Sequence, residues 1–210
     1  MTKKRYFVTG IGTGVGKTLI SALLCEYLKA DYFKTVQTGY PPDRDAFQVK
    51  NLVTNDINVH SEIYLLKEPA SPHLAAEREG IKIDLKNIQL PKTDNHLIIE
   101  GAGGLLVPLN EEHYIADLIR HLHAECILVV SNYLGCINHS LLSFYYIQHQ
   151  QIPFKGIILN GNFDKEVKSA IIKNLKENQV ISEIPQIKEI NKKTFQEVYS
   201  KFIDQLKVEL

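Results

Sequence analysis

Gly10-Ile11-Gly12-Thr13-Gly14-Val15-Gly16-Lys17-Thr18 follows the apolar run Tyr6-Phe7-Val8 and opens an apolar-rich segment that ends near Ala30. Strand, glycine-rich loop and helix in that order make a phosphate cradle. Small residues let successive backbone N–H groups curl around phosphate oxygens, and the helix N-terminus adds positive potential. Lys17 would reach the β- and γ-phosphates and Thr18 would hold Mg²⁺. This context predicts a nucleoside triphosphate site; the alternative is a flexible glycine turn that binds nothing. The loop is a variant, because five residues separate Gly10 from Gly16, one more than usual, and Ile11 fills the strict glycine position.

Outward from that loop, continuous β-rich runs recur at Tyr6-Phe7-Val8, His96-Leu97-Ile98-Ile99, Cys126-Ile127-Leu128-Val129-Val130 and Gly156-Ile157-Ile158-Leu159. They lack period-two alternation, as expected of strands buried on both faces of a parallel sheet. Helical patterns lie between and after them, around Thr18 to Ala30, Ile115 to His123, Asn138 to His149, Lys165 to Glu177 and Lys193 to Val208. The expected fold is α/β, a doubly wound, mostly parallel sheet flanked by helices, with residues 1–210 as a single P-loop, nucleotide-binding domain. The stretch from Pro41 to Pro91 is the least regular, with short helical pieces at Ala46 to Val53 and His73 to Glu79, and reads as a substrate-facing insertion.

Lys+Arg and Asp+Glu are both 24, so no overall basic field draws the chain to nucleic acid or an anionic membrane. Small-molecule chemistry is favoured. Three cysteines, Cys25, Cys126 and Cys136, are odd in number and lack CxxC spacing, which suggests reduced thiols in a cytoplasmic protein. No apolar run approaches bilayer-spanning length, and the N-terminus passes directly into the first strand.

In such sheets the ligand sits beyond the carboxyl ends of the strands. After Ile99 comes Glu100-Gly101-Ala102-Gly103-Gly104, a carboxylate beside a turn of small residues, suited to Mg²⁺ held opposite Thr18. Asp45 is a second carboxylate candidate; taken alone it reads as a solvated loop acid or a helix cap rather than as a ligand. Lys34 interrupts the strand-like stretch Tyr32-Phe33-Lys34-Thr35-Val36-Gln37-Thr38-Gly39. It either faces the ligand as a second cation near the γ-phosphate or lies in water on an edge strand. Thr38 could donate a hydrogen bond to substrate.

The loop Ser131 to His139 leads into a helix for which Asn138 suits an N-cap. Cys136 within it reads as packing, or as a nucleophile whose paired base cannot be identified. His73 follows a proline and reads as a hydrogen-bonded structural residue or a catalytic base. The Asn160 amide, directly after a strand, could offer both a donor and an acceptor to a nucleobase.

Taken together, these motifs resemble the dethiobiotin synthetase family from Tyr6 to about Pro185. The matching segments include the variant loop, Lys34 with Gln37-Thr38-Gly39, Asp45, Glu68-Pro69-Ala70-Ser71-Pro72-His73, Glu100 to Gly104, Leu134 to His139 and Glu183-Ile184-Pro185. The resemblance implies a homodimer with substrate near the interface, and ATP and Mg²⁺ as cofactors. It also implies that 7,8-diaminopelargonate (7,8-diaminononanoate) takes up CO₂ as a carbamate, which ATP phosphorylates before the neighbouring amine closes a ureido ring.

Carried over residue by residue, Lys17 and Lys34 are the implied catalytic cations, and Thr18, Asp45 and Glu100 surround the metal. Gly12, Thr13, Gly14, Val15, Gly16, Lys17, Thr18 and Leu19, with Gly101, Ala102 and Gly103, wrap the nucleotide. Asn160, Gly161, Ile184, Pro185, Gln186 and Glu189 contact its base. Thr13, Lys34, Thr38 and Gly103 line the substrate together with Gly135, Cys136, Ile137 and Asn138, a turn that the partner subunit could contribute. This sequence departs from the family where members often carry Asp at Gly12, Pro at Thr35 and Asp at Gly161. The rival reading is a ParA-like switch ATPase, in which Lys34 and the Gly135 to Asn138 turn have no task.

Overall fold

The computed structural model describes residues 3–41, 44–176, 179–187, 189–206 and 210. The first strand, β1 (Arg5–Gly10), runs through the glycine loop into α1 (Lys17–Leu28). There follow β2 (Asp31–Lys34), β3 (Val36–Gln37), α2 (Asp45–Leu52), β4 (Val59–His60), β5 (Tyr64–Leu65) and α3 (Pro72–Arg78). The second half alternates strictly: β6 (Leu97–Gly104), α4 (Ile115–His121), β7 (Glu125–Ser131), α5 (Cys136–His149), β8 (Phe154–Asn160), α6 (Lys165–Ile172), β9 (Val180–Ile184) and α7 (Lys192–Asp204).

Seven strands form one sheet in the order β4-β2-β6-β1-β7-β8-β9, and every pairing in it is parallel. The expected doubly wound fold is therefore present, with β1 central. β3 and β5 pair separately, also in parallel. Alternate residues of each strand enter two different cores. Tyr6, Val8, Tyr32, Ile98, Ile127 and Ile158 pack with α1, α2 and α7. Phe7, Phe33, Ile99, Leu128 and Leu159 pack with α3, α4, α5 and α6. Burial of both faces is why the runs read as continuous apolar stretches instead of alternating ones.

Several boundaries differ from the sequence expectation. α5 starts at Cys136, and its N-cap is Gly135 in a left-handed conformation (φ 106°). Asn138 lies in the first turn and is exposed, so it is not the cap. A left-handed entry favours glycine over any side-chain cap. β9 escaped the sequence reading because Ser182 and Glu183 interrupt its apolar pattern. Ser182 is nevertheless fully buried, its hydroxyl donating to the Phe202 carbonyl of α7 at 3.2 Å. α6 ends at Ile172, short of Glu177, and residues 177 and 208, the expected ends of the last two helices, fall outside the described residues. All three cysteines are free and buried. Among the described residues no helix is long and apolar enough to cross a membrane.

Candidate active site

The glycine loop leaves the C-terminal end of the central strand, where parallel strands point their carboxyl ends. Gly16 caps α1 in the left-handed region (φ 93°), and the first turn of that helix carries no acid that would oppose an anion. The Lys17 ammonium folds back over the loop and donates to the Gly12 carbonyl at 3.0 Å. Burial pulls its pKa down to about 8, with Lys34 adding to the fall while Glu100 and Asp45 oppose it.

Strand register brings the charged groups together. Lys34 of β2 pairs with Glu100 of β6, and Val8 of β1 lies on the other side of Glu100. All three of these chain positions point to the α1 face, because Tyr32, two residues before Lys34, and Ile98, two before Glu100, pack there. The Lys34 ammonium donates to Glu100 Oε1 at 2.9 Å, to the Gly101 carbonyl at 3.3 Å and, in a short contact, to Asp45 Oδ2. Its three N–H donors are thus all engaged. Thr18 on α1 donates to Glu100 Oε1 at 3.1 Å. Burial alone would lower the lysine pKa, but Glu100 and Asp45 offset it and hold Lys34 above its ordinary value. Burial likewise works to raise the Asp45 pKa, yet the Lys34 charge keeps it below the usual carboxylate value. Both groups are therefore ionised at neutral pH. The edge-lysine reading of Lys34 and the solvated-acid reading of Asp45 do not hold: Lys34 is 4% exposed, and Asp45 opens α2 with its backbone N–H on Gln37 Oε1 at 3.2 Å.

Two cavities of 720 Å³ each meet at the loop. The first is floored by Lys17, Thr18, Lys34, Asp45 and Glu100, and walled by Thr38, Ala102 and Gly103 on one side and Ser71-Pro72 on the other. The second lies across the loop between Gly12, Asn132, Tyr133, Asn160, Gly161 and Gln186. Thr13, Gly14, Gly16 and Leu19 border both. Such a shape accommodates a nucleotide whose phosphates cross the loop from a base cavity to a reaction cavity.

Other expected residues lie elsewhere. Val15 is buried, its carbonyl accepting from Asn160 Nδ2 at 2.8 Å. One N–H of the Asn160 amide is thus engaged in shaping the loop, and Asn160 also lines the second cavity. Gly101 is buried against Phe7, and Ile184 is a core residue. Pro185 and the exposed Glu189 do not line the second cavity. Gly135, Cys136, Ile137 and Asn138 line neither cavity of their own chain. Cys136 is buried, with Sγ 3.9 Å from Asn132 Oδ1, which fits its packing role. His73 sits 3.1 Å from the Ser71 hydroxyl through Nδ1, as a structural partner of the cavity wall. Sequence reasoning missed Tyr32, whose hydroxyl donates to Glu100 Oε2 at 2.8 Å. The period-two rule applied backwards from Lys34 would have found it.

Gly12 and Gly16, two of the four loop glycines, are not equivalent. A Cβ on Gly16 would collide with the Asn160 amide and strain a left-handed residue, whereas a Cβ on Gly12 meets nothing nearer than the Tyr133 hydroxyl at 4.0 Å. Gly16→Ala is expected to weaken nucleotide binding by about 100-fold or more, and Gly12→Ala to change it by less than about threefold. Titration calorimetry with ADP on both variants checks the contrast.

An AAA-domain family model matches residues 4–194. An ATP-dependent dethiobiotin synthetase BioD of Cytophaga hutchinsonii is 47% identical over 173 residues, covering 81% of this chain and 84% of the relative. One from Christiangramia forsetii is 44% identical, covering 95% and 96%. The chain belongs to the dethiobiotin synthetase family. Membership makes it an enzyme of the ligase class. Among solved structures, a putative plasmid partition protein from Borrelia burgdorferi bound to AMPPNP aligns with a TM-score of 0.58 at 13% identity, covering 97% of this chain and 98% of that one. The septum site-determining protein MinD of Pyrococcus horikoshii, complexed with Mg-ADP, gives 0.55 at 14%, covering 97% and 93%. At these identities the likeness is one of fold alone.

Proposed function

We propose that this protein is an ATP-dependent dethiobiotin synthetase that carboxylates 7,8-diaminononanoate with CO₂ and closes the ureido ring, releasing ADP and phosphate. The observation that carries this reading is the Lys34 ammonium, buried where the first cavity meets the loop and held between Asp45 and Glu100. A triphosphate-driven switch has no use for a second buried lysine there. A synthetase that transfers the γ-phosphoryl group to a carbamate oxygen does, because negative charge develops between two anionic reactants.

In this reading the loop N–H groups and Lys17 bind the β- and γ-phosphates, and Lys34 lies alongside the oxygens that gain charge. Thr13 and Thr38 supply hydroxyls to the diamine, whose carbamate forms on one nitrogen. Phosphorylation turns a poor leaving oxygen into phosphate, and attack by the second amine on the carbamate carbon expels it. Thr18, Asp45 and Glu100 would hold Mg²⁺: a hydroxyl and two carboxylates are hard oxygen donors, and this ion favours few protein ligands completed by phosphate and water. When bound, the ion neutralises phosphate charge.

The same reading takes a second copy of the chain as the partner. Leu134 is fully exposed, and Leu106 and Leu142, each more than half exposed, line a 300 Å³ groove next to Thr13. A dimer through this surface would bring the partner's turn 135–138 toward the diamine, which explains why that turn lines neither cavity of its own chain. The test is direct: protein supplied with ATP, Mg²⁺, bicarbonate and 7,8-diaminononanoate should release phosphate and form the cyclic urea in equal amounts. Phosphate release indifferent to the diamine overturns the reading.

A further inference from the structure

The Glu100 carboxylate has two differently occupied oxygens. Oε1 accepts from Thr18 at 3.1 Å and from Lys34 at 2.9 Å, on the side that faces the loop. Oε2 accepts from the Tyr32 hydroxyl at 2.8 Å, on the side that faces the core. Tyr32 is fully buried, and Glu100 is 1% exposed. The ring is fixed by packing among α1, α2 and the strands, with Ile98 as its register partner on β6. From there its hydroxyl reaches diagonally to the residue two further along that strand. A carboxylate in a tight site can rotate about its terminal bond, and each rotation would change which lone pairs face the phosphates. The Tyr32 hydroxyl donates from a fixed point and removes that freedom.

We propose that Tyr32 is a positioning residue for the divalent ion: it sets the plane of the Glu100 carboxylate so that Oε1 stays aimed at Thr18. The proposal rests on Glu100 being a metal ligand, as read above. Tyr32 touches neither nucleotide nor diamine in this arrangement, and acts through Glu100. Outer groups that orient metal ligands commonly change metal affinity by about 10-fold or more when removed.

The experiment measures Mn²⁺ affinity by electron paramagnetic resonance on the whole protein saturated with a non-hydrolysable ATP analogue, alongside metal-free ADP affinity. Tyr32→Phe keeps the packed ring and removes only the donor. It is expected to weaken Mn²⁺ binding about 10-fold and to leave metal-free ADP affinity within about twofold, which a general loss of structure would not do. In a Glu100→Gln background the same substitution should have little further effect, the coupling that contact implies. If Glu100→Gln itself leaves Mn²⁺ affinity unchanged, the assignment of Glu100 as ligand fails and the proposal falls with it. If Glu100→Gln weakens Mn²⁺ binding and Tyr32→Phe does not, or if the two effects simply add, the role of Tyr32 alone is overturned.

Discussion

Lys34→Gln should lower turnover by about three orders of magnitude while ADP still binds within roughly threefold of the parent protein. The split follows from where the two lysines sit. Lys17 follows the loop and contacts the Gly12 carbonyl, so in the proposed reaction it would support phosphate binding in the ground state. Lys34 comes from β2 and is held between Asp45 and Glu100 at the floor of the first cavity, where in the proposed reaction charge would grow only during transfer. Glutamine is neutral but still offers N–H donors, so the variant keeps hydrogen bonds to the carboxylates and loses the charge. Asp45 and Glu100 then face each other without a cation, and the resulting repulsion should make the variant more dependent on divalent ion than the parent. Steady-state kinetics with calorimetry decides it: full activity refutes a catalytic role for Lys34, and parallel loss of ADP binding reassigns it to ground-state binding.

Asp31→Ala should cost about 3 kcal/mol of stability, which for a chain of this size lowers Tm by roughly 6–12 °C. Asp31 opens β2 at the end of the sheet away from the site and is fully buried. Its carboxylate accepts from the Asn58 backbone at 2.9 Å and side chain at 3.2 Å, from Thr93 at 2.6 Å and from Asn95 at 3.0 Å. His60 Nε2 lies 3.5 Å away. One side chain thus ties together the segments that enter β2, β4 and β6. Burial works to raise its pKa, but the hydrogen bonds from Thr93, Asn95 and Asn58 prevail and bring it from 3.8 down to about 2. Folding therefore favours the ionised form. The stability it contributes is complete above pH about 4 and disappears as pH falls through about 2. Thermal unfolding of parent and variant should converge across that window. A difference that stays constant with pH would assign the effect to packing alone.

The variant loop was legible because its chemistry is local. Backbone N–H groups, a helix start and Lys17-Thr18 are contiguous in sequence, so their order alone predicts their geometry. The parallel sheet was legible for a related reason, since burial on both faces leaves uninterrupted apolar runs at β1, β6, β7 and β8. β9 was not, because Ser182 satisfies its hydroxyl on α7 and leaves no trace in a hydropathy pattern. Gly135 as the cap of α5 was also hidden: Asn138 has the better capping side chain, and only the left-handed path of the incoming loop decides against it.

At the site, composition could not choose between a solvated and a buried Asp45, nor between an edge-strand and a ligand-facing Lys34. Those choices depend on strand neighbours. β2 lies next to β6 although 62 residues intervene between Lys34 and Leu97, and the register of that pair puts Lys34 beside Glu100. Asn160 shows the converse, a residue whose position was foreseen and whose bond was not. Its amide is turned to Val15 because the tight path of the loop exposes that carbonyl.

By itself the sequence determined that a strand, a phosphate loop and a helix come first, that the remaining strands are buried on both faces, and which family's motifs follow in order. These are properties of contiguous residues and their periodicity. Only the tertiary structure decided that Lys34, Asp45, Glu100, Thr18 and Tyr32 form one hydrogen-bonded cluster, and that the turn 135–138 faces away from its own cavities. A charged group's partner, pKa and orientation are set by what long-range strand pairing packs against it, and register is a property of the assembled sheet.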